Sequence, residues 1–130
     1  MSAIGKEDQI KAIPPLLKPL GFKKRAGTWH RATADAIHVV NVQGSQWGPE
    51  YYVNVGTYLR ALGTEISPPV FRCHVQSRIE PPDRPARDLV RECQEWFEQY
   101  GEVSMLIAHC QANSLPVATT GKARLWLGAA

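Results

Sequence analysis

Histidines, cysteines and a basic triplet are the residues of this sequence whose types could carry chemistry, and their spacing limits what each can do. The four histidines stand at positions 30, 38, 74 and 109. Imidazole is the usual general base and metal ligand near neutral pH. Yet no His-x-His or His-x-x-x-His pair occurs, and no Asp or Glu takes a matching strand position beside them. Cys73, Cys93 and Cys110 form no Cys-x-x-Cys pair, so structural zinc is not expected. Cys73 precedes His74, but neighbours in a strand point to opposite faces, which predicts a small buried hydrophobe and not a thiolate nucleophile. Thr120-Gly121-Lys122 lacks the rest of a phosphate loop, with Pro116 where the first Gly belongs and Ala123 where Ser or Thr belongs. Gly44-Ser45-Gln46-Trp47-Gly48 has the wrong spacing for a nucleophile elbow, and Glu50, Glu65 and Glu80 form no recognisable carboxylate pair. No metal, cofactor or catalytic group is expected.

Lys23-Lys24-Arg25 is the densest point of a positive excess confined to the first third of the chain. Such a triplet can touch phosphates, but nucleic-acid modules spread more cations over a face, so a solvated loop is the expectation. The 130 residues carry a net charge of +3, with 44% hydrophobic and 21% charged side chains, which describes one globular domain over 1–130. No apolar run approaches the roughly 18 residues of a membrane span. The opening residues lack a secretory apolar region, so a cytosolic protein with reduced thiols is predicted.

The elements that must position these residues follow from periodicity. Ile10, Ile13, Leu16, Leu17 and Leu20 predict a helix over about 7–20, kinked after Ile13 by Pro14, Pro15 and Pro19 and closed at Gly21. Alternation then predicts strands at 28–33, 36–45, 51–60 and 70–80, with Gly48-Pro49 turning the chain and displaying Trp47. Asp83 is the expected N-cap of a helix over about 84–100, whose Leu89, Val90, Cys93, Trp96, Phe97 and Tyr100 share one face. A further helix is predicted at 102–112 and an extended tail at 115–130. The order gives an α+β fold: an N-terminal helix, a four- or five-stranded antiparallel sheet, and two C-terminal helices on one sheet face.

Strand parity sorts the two faces. Tyr51, Val53, Val55, Leu59, Phe71, Cys73, Val75 and Ile79 are expected on the dry side. Asn41, Gln43, Tyr52, Asn54, Tyr58, Arg72, His74, Gln76 and Arg78 are expected on the other. A merely solvated face carries Lys, Glu and Thr, whereas this row is rich in Tyr, Arg and amides, the side chains of binding surfaces.

Leu17-Lys18-Pro19-Leu20-Gly21-Phe22-Lys23-Lys24, Trp29-His30-Arg31, Val39 to Ser45, Tyr52-Val53-Asn54-Val55-Gly56 and Cys73 to Arg78 form an ordered series. It resembles a bacterial family known only as a domain of unknown function. The resemblance implies a helix against an antiparallel sheet and no established activity, with Gln43, Ser45, Asn54, Gly56, His74 and Arg78 matching the family's polar signature.

These readings make Gln43, Ser45, Trp47, Tyr52, Asn54, Tyr58, Arg72, His74, Gln76 and Arg78 the candidate binding residues. The leading expectation is a non-catalytic protein-binding domain of the immunity or antitoxin kind, its partner another protein such as a toxin. The alternatives are a small hydrolase or transferase using His74 with Arg72 or Arg78, and a weak nucleic-acid binder using Lys23, Lys24 and Arg25.

Overall fold

Prolines shape the entry into the fold. The computed structural model describes residues 4–25 and 27–129. Helix α1 (Lys6–Ala12) stops at Ile13, and α2 (Pro14–Leu17) begins with proline at its first position. Proline cannot donate to the preceding turn and its ring crowds the carbonyl four residues back, so the helix breaks there as expected. A 3-10 turn (Lys18–Leu20) follows, and Gly21 reverses the chain at φ 92°, a left-handed conformation that glycine adopts without strain. The kink divides the predicted apolar stripe: Ile13 and Leu17 enter the core, while Ile10 and Leu16 remain exposed.

The sheet has five antiparallel strands in chain order: β1 (Lys23–Arg25), β2 (Thr28–Ala32), β3 (Ala36–Gly44), β4 (Tyr51–Leu59) and β5 (Val75–Ile79). Lys23-Lys24-Arg25, expected as a loop, is thus the edge strand that makes the sheet five-stranded, paired with β2 through Lys24 opposite Trp29. Lysine is common at edges, where it discourages pairing with a further chain. The register sets Asn41 opposite Asn54, and Asn54 opposite Arg78, so amides and guanidinium share one face.

Helix α3 (Ala86–Tyr100) buries Leu89, Val90, Cys93, Trp96 and Phe97, the face predicted from their spacing. Its start corrects the sequence reading. Pro85, not Asp83, is the residue before the first turn and makes no side-chain cap; a residue preceding proline is held extended, so Arg84 cannot be helical. Helix α4 (Val103–Gln111) matches its predicted span. The tail does not stay extended. Gly121–Ala129 forms α5, with Ala123 and Leu127 buried and Thr120 Oγ1 accepting the Ala123 amide at 3.1 Å, a hydroxyl cap on the first turn. Ala130, the end of the predicted tail, lies outside the described residues. One core joins Ile13, Leu17, Phe22, Val40, Val53, Val55, Leu59, Val75 and Ile79 to the helices.

The predicted fourth strand is shorter than its sequence pattern. Pro68-Pro69 delay pairing, Val70–Arg72 form a 3-10 turn, and the strand starts only at Val75. Two predicted faces change as a result. Phe71, expected in the core, is 75% exposed, and Cys73 packs on the opposite side of the sheet with Ile37, Val39, Tyr58 and Val70.

Candidate functional site

Two residues of alternation separate a covered end of the outer sheet face from an open end. Ile37 and Val39 on β3 and Tyr58 on β4 lie beneath the segment that connects β4 to β5. That segment is tied down at several points. His30 Nε2 meets the Pro68 carbonyl at 2.8 Å, and the Glu65 amide donates to the Tyr58 hydroxyl at 3.2 Å. The His74 ring is only 7% exposed; its Nδ1 accepts the Leu59 amide at 2.9 Å and it packs on Tyr58 at 4.9 Å between centroids. Gly56 is required here, since a Cβ at that position would lie 2.7 Å from both Cβ and Sγ of Cys73.

Beyond Val39 and Gly56 the same strands carry polar side chains, and the surface becomes concave. A pocket of about 570 Å³ is lined by Asn41, Gln43, Asn54, Gln76, Ser77 and Arg78, with Pro69, Val70, Phe71 and Ala118 as an apolar lip. Its hydrogen bonds fix the polarity of the floor. Asn54 Nδ2 donates to Asn41 Oδ1 and Gln43 Oε1, both at 3.0 Å. Gln76 Nε2 donates to the carbonyls of Phe71 at 3.3 Å and Cys73 at 3.0 Å. The amide nitrogens of Asn41 and Gln43 are therefore left as donors, and the amide oxygens of Asn54 and Gln76 as acceptors. Arg78 lies 4.0 Å over the ring of Tyr52, which steadies the guanidinium, and it makes no ion pair among the described residues.

The structure thus brings together Gln43, Tyr52, Asn54, Gln76 and Arg78 of the predicted residues, and separates the others. Tyr58 is on the predicted face but buried. His74, expected on the polar row, sits under the covering segment and does not line the pocket. Arg72 is exposed beside Phe71, 5.8 Å from that ring's centroid, outside the pocket lining. Ser45 and Trp47 belong to the β3–β4 turn, where the Trp47 amide donates to Ser45 Oγ at 3.1 Å and the indole is 87% exposed. Lys23, Lys24 and Arg25 follow the opposite edge of the sheet. Residue type and spacing do not point to the lip residues Pro69, Val70, Phe71 and Ala118. Alternation places Phe71 inward, but the 3-10 turn interrupts it, and Ala118 carries no signal in its type.

Burial decides the state of the remaining reactive groups. It pushes the Cys73 thiol up to about 12, with Glu65 adding to the effect, so no thiolate forms there near neutral pH. Burial also lowers the His74 imidazole below its ordinary 6.5, and nearby Lys122 acts in the same direction. His38, on the helix-covered face, is lowered by burial and by Arg31. Its Nδ1 accepts from Arg31 Nε at 3.1 Å while Nε2 donates to the Gly101 carbonyl at 2.8 Å, a pattern only a neutral ring can make. Arg31 itself is held by Phe22 at 4.4 Å and by the Leu20 carbonyl and Gln94 Oε1, both at 3.0 Å, a structural cluster remote from the pocket. Among the described residues no three of His, Cys, Asp and Glu stand together as metal ligands, and no described helix is long and apolar enough to cross a membrane.

The model of the family described as Domain of unknown function (DUF4304) matches residues 13–110, three quarters of the chain. The chain belongs to that family. The match takes in the whole sheet and α3 and stops short of α5 and of Ala118 in the pocket lip. No curated protein and no solved structure matches the chain.

Proposed function

We propose that this DUF4304 domain is a non-catalytic binding domain that holds another protein at the open end of its outer sheet face. The observation that carries the reading is the prearranged pocket floor. Asn54 spends its amide hydrogens on Asn41 and Gln43, so the donors and acceptors around it are already oriented before a partner arrives. Arg78, backed by Tyr52, and the exposed ring of Phe71 add the charged and aromatic anchors that interfaces favour. A reaction run from His74 finds less support, because a general base must reach its substrate and this ring's Nδ1 is taken by the Leu59 amide beneath the covering segment.

The narrower form of the proposal has a bacterial toxin as the partner, neutralised by occlusion. It rests on the analogy of small bacterial immunity proteins, and a toxin gene beside this one would favour it. The experiment is capture of partners from a native lysate on the parent protein and on the Tyr52→Ala/Arg78→Ala variant, with folding checked by circular dichroism. The variant is expected to weaken the complex by about 2 kcal/mol or more, as lost anchors do. Equal capture by a folded variant would place the interface elsewhere.

A further inference from the structure

We infer that the pocket seats an extended, carboxylate-bearing peptide segment of the partner, added as a strand along the free part of β5. This rests on the binding-face reading and specifies what enters the face. Among the described residues, the outer edge of β5 is paired only at its start. The Gln76 amide donates to the Ala118 carbonyl at 3.0 Å, the Thr120 amide donates to the His74 carbonyl at 2.9 Å, and Val75 bridges Thr119 between them. The pairing chain then leaves. Pro116 has no N–H, its carbonyl accepts from Thr119 Oγ1 at 2.6 Å and from Arg124 at 3.1 Å, and Val117 is 97% exposed.

Main-chain groups of alternate residues point to the same side of a strand. Because the Gln76 amide points outward, so do the N–H and C=O of Arg78; no described main-chain group pairs with them, and the carbonyl accepts only a long 3.5 Å contact from the adjacent Ser77 Oγ. The pocket crosses this edge, since Ser77 and Ala118 line it together with Gln76 and Arg78. An extended peptide matches each feature. Its backbone supplies alternating donors and acceptors to the edge, as in strand addition to other sheets. Its side chains over the face meet the amides of Asn41, Gln43 and Asn54, and an apolar one meets Phe71. Charge complementarity fixes the remaining group, because Arg78 is the only charged residue in the lining and pairs with no carboxylate among the described residues. A nucleic acid would need several cations there.

The probe is a library of short random peptides displayed on phage and selected against the full chain, followed by synthesis of the enriched peptides with one backbone nitrogen methylated at a time. The enriched peptides are expected to share an Asp, a Glu or a free C-terminus, and Arg78→Ala is expected to weaken them about tenfold or more. Methylation at alternate positions should weaken them comparably, because it removes the N–H that an added strand donates. Selection that yields no peptide sensitive to Arg78→Ala would overturn the inference. So would methylation that is harmless at every position. The binding-face reading is judged separately: if the Tyr52→Ala/Arg78→Ala variant loses its captured partner while methylation does nothing, the face stands and strand addition falls.

Discussion

At one end of the outer sheet face Ile37, Val39 and Tyr58 lie under the segment that follows β4, and at the other Asn41, Gln43, Asn54 and Arg78 border a pocket, although the two groups are neighbours on the same strands. Val39 and Asn41 are two residues apart on β3, about 7 Å along the strand. The apolar end cannot meet water without cost, so the chain between Arg60 and Cys73 folds over it. The amide end satisfies part of its own hydrogen bonding through Asn54 and needs no cover. Where the side chains change from aliphatic to amide, the covering segment stops and its last residues become the pocket's lip. The pocket is therefore a consequence of incomplete covering, with its floor made of groups that tolerate being left open.

The sharpest way to break this contrast is to carry the amides into the covered end. Val39→Asn removes a fully buried side chain and leaves an amide without partners, so a loss of about 2–4 kcal/mol is expected in urea unfolding. The reciprocal Asn54→Leu should change stability by less than about 1 kcal/mol, as it frees groups that water can reach, yet it should weaken peptide binding by untethering Asn41 and Gln43. If the two substitutions cost the same, the two ends do not differ in the way described.

Crowding the covered end is the next test. Gly56→Ala sets a methyl against Cys73, and the overpacking is expected to cost about 1–3 kcal/mol. The displaced Cys73 should then react with a thiol reagent at a site located by mass spectrometry, whereas in the parent its buried thiol stays protonated and shielded.

The smallest effect separates covered from open by pH. His38 and His74 have pKa values lowered from 6.5, burial being the largest cause for each. On unfolding, both rings regain affinity for protons. Below about pH 6.5 the unfolded chain therefore binds more protons than the folded one, and stability declines as the pH falls towards the folded values. Urea midpoints measured from about pH 7 to about pH 5 should drop. The drop should shrink in a His74→Gln variant, and a flat profile would contradict the burial of both rings.

Much of this was legible in the residues themselves. Helix α3 was readable because Leu89, Val90, Cys93, Trp96 and Phe97 recur at helical spacing with charges opposite them. The faces of β3, β4 and β5 were readable because alternation runs unbroken through each, and Asn41, Gln43, Tyr52, Asn54, Gln76 and Arg78 fall on the side that parity gave them. Parity failed at Phe71 and Cys73 because alternation presumes a continuous strand. Pro68-Pro69 and the 3-10 turn shift the phase just before β5, so residues assigned by counting back from Val75 change sides. His74 left the site for a different reason: it keeps its side, packed on Tyr58, but is buried beneath the segment that follows β4, a cover that spacing does not reveal. Helix α5 was missed because Leu125, Trp126 and Leu127 are consecutive and give no helical period, while the informative residue was Thr120, the hydroxyl one position before Gly121. Lys23-Lys24-Arg25 gave no strand signal at all; its pairing comes from β2, a tertiary cause that local composition does not carry.

The order of the sheet, in which every strand pairs with its neighbour in sequence, bears on how the chain acquires its structure. Each hairpin closes a modest loop, so the entropy lost in forming the sheet is small at every step and assembly can proceed quickly outward from β3 and β4. The strand bridge formed by Val75 and Thr119 is different, joining positions far apart in the chain. During synthesis β5 emerges well before the segment that covers its first residues. In that interval its whole outer edge is open to other nascent chains, which makes residues 75–79 the place where crowding and slow translation would favour misassociation.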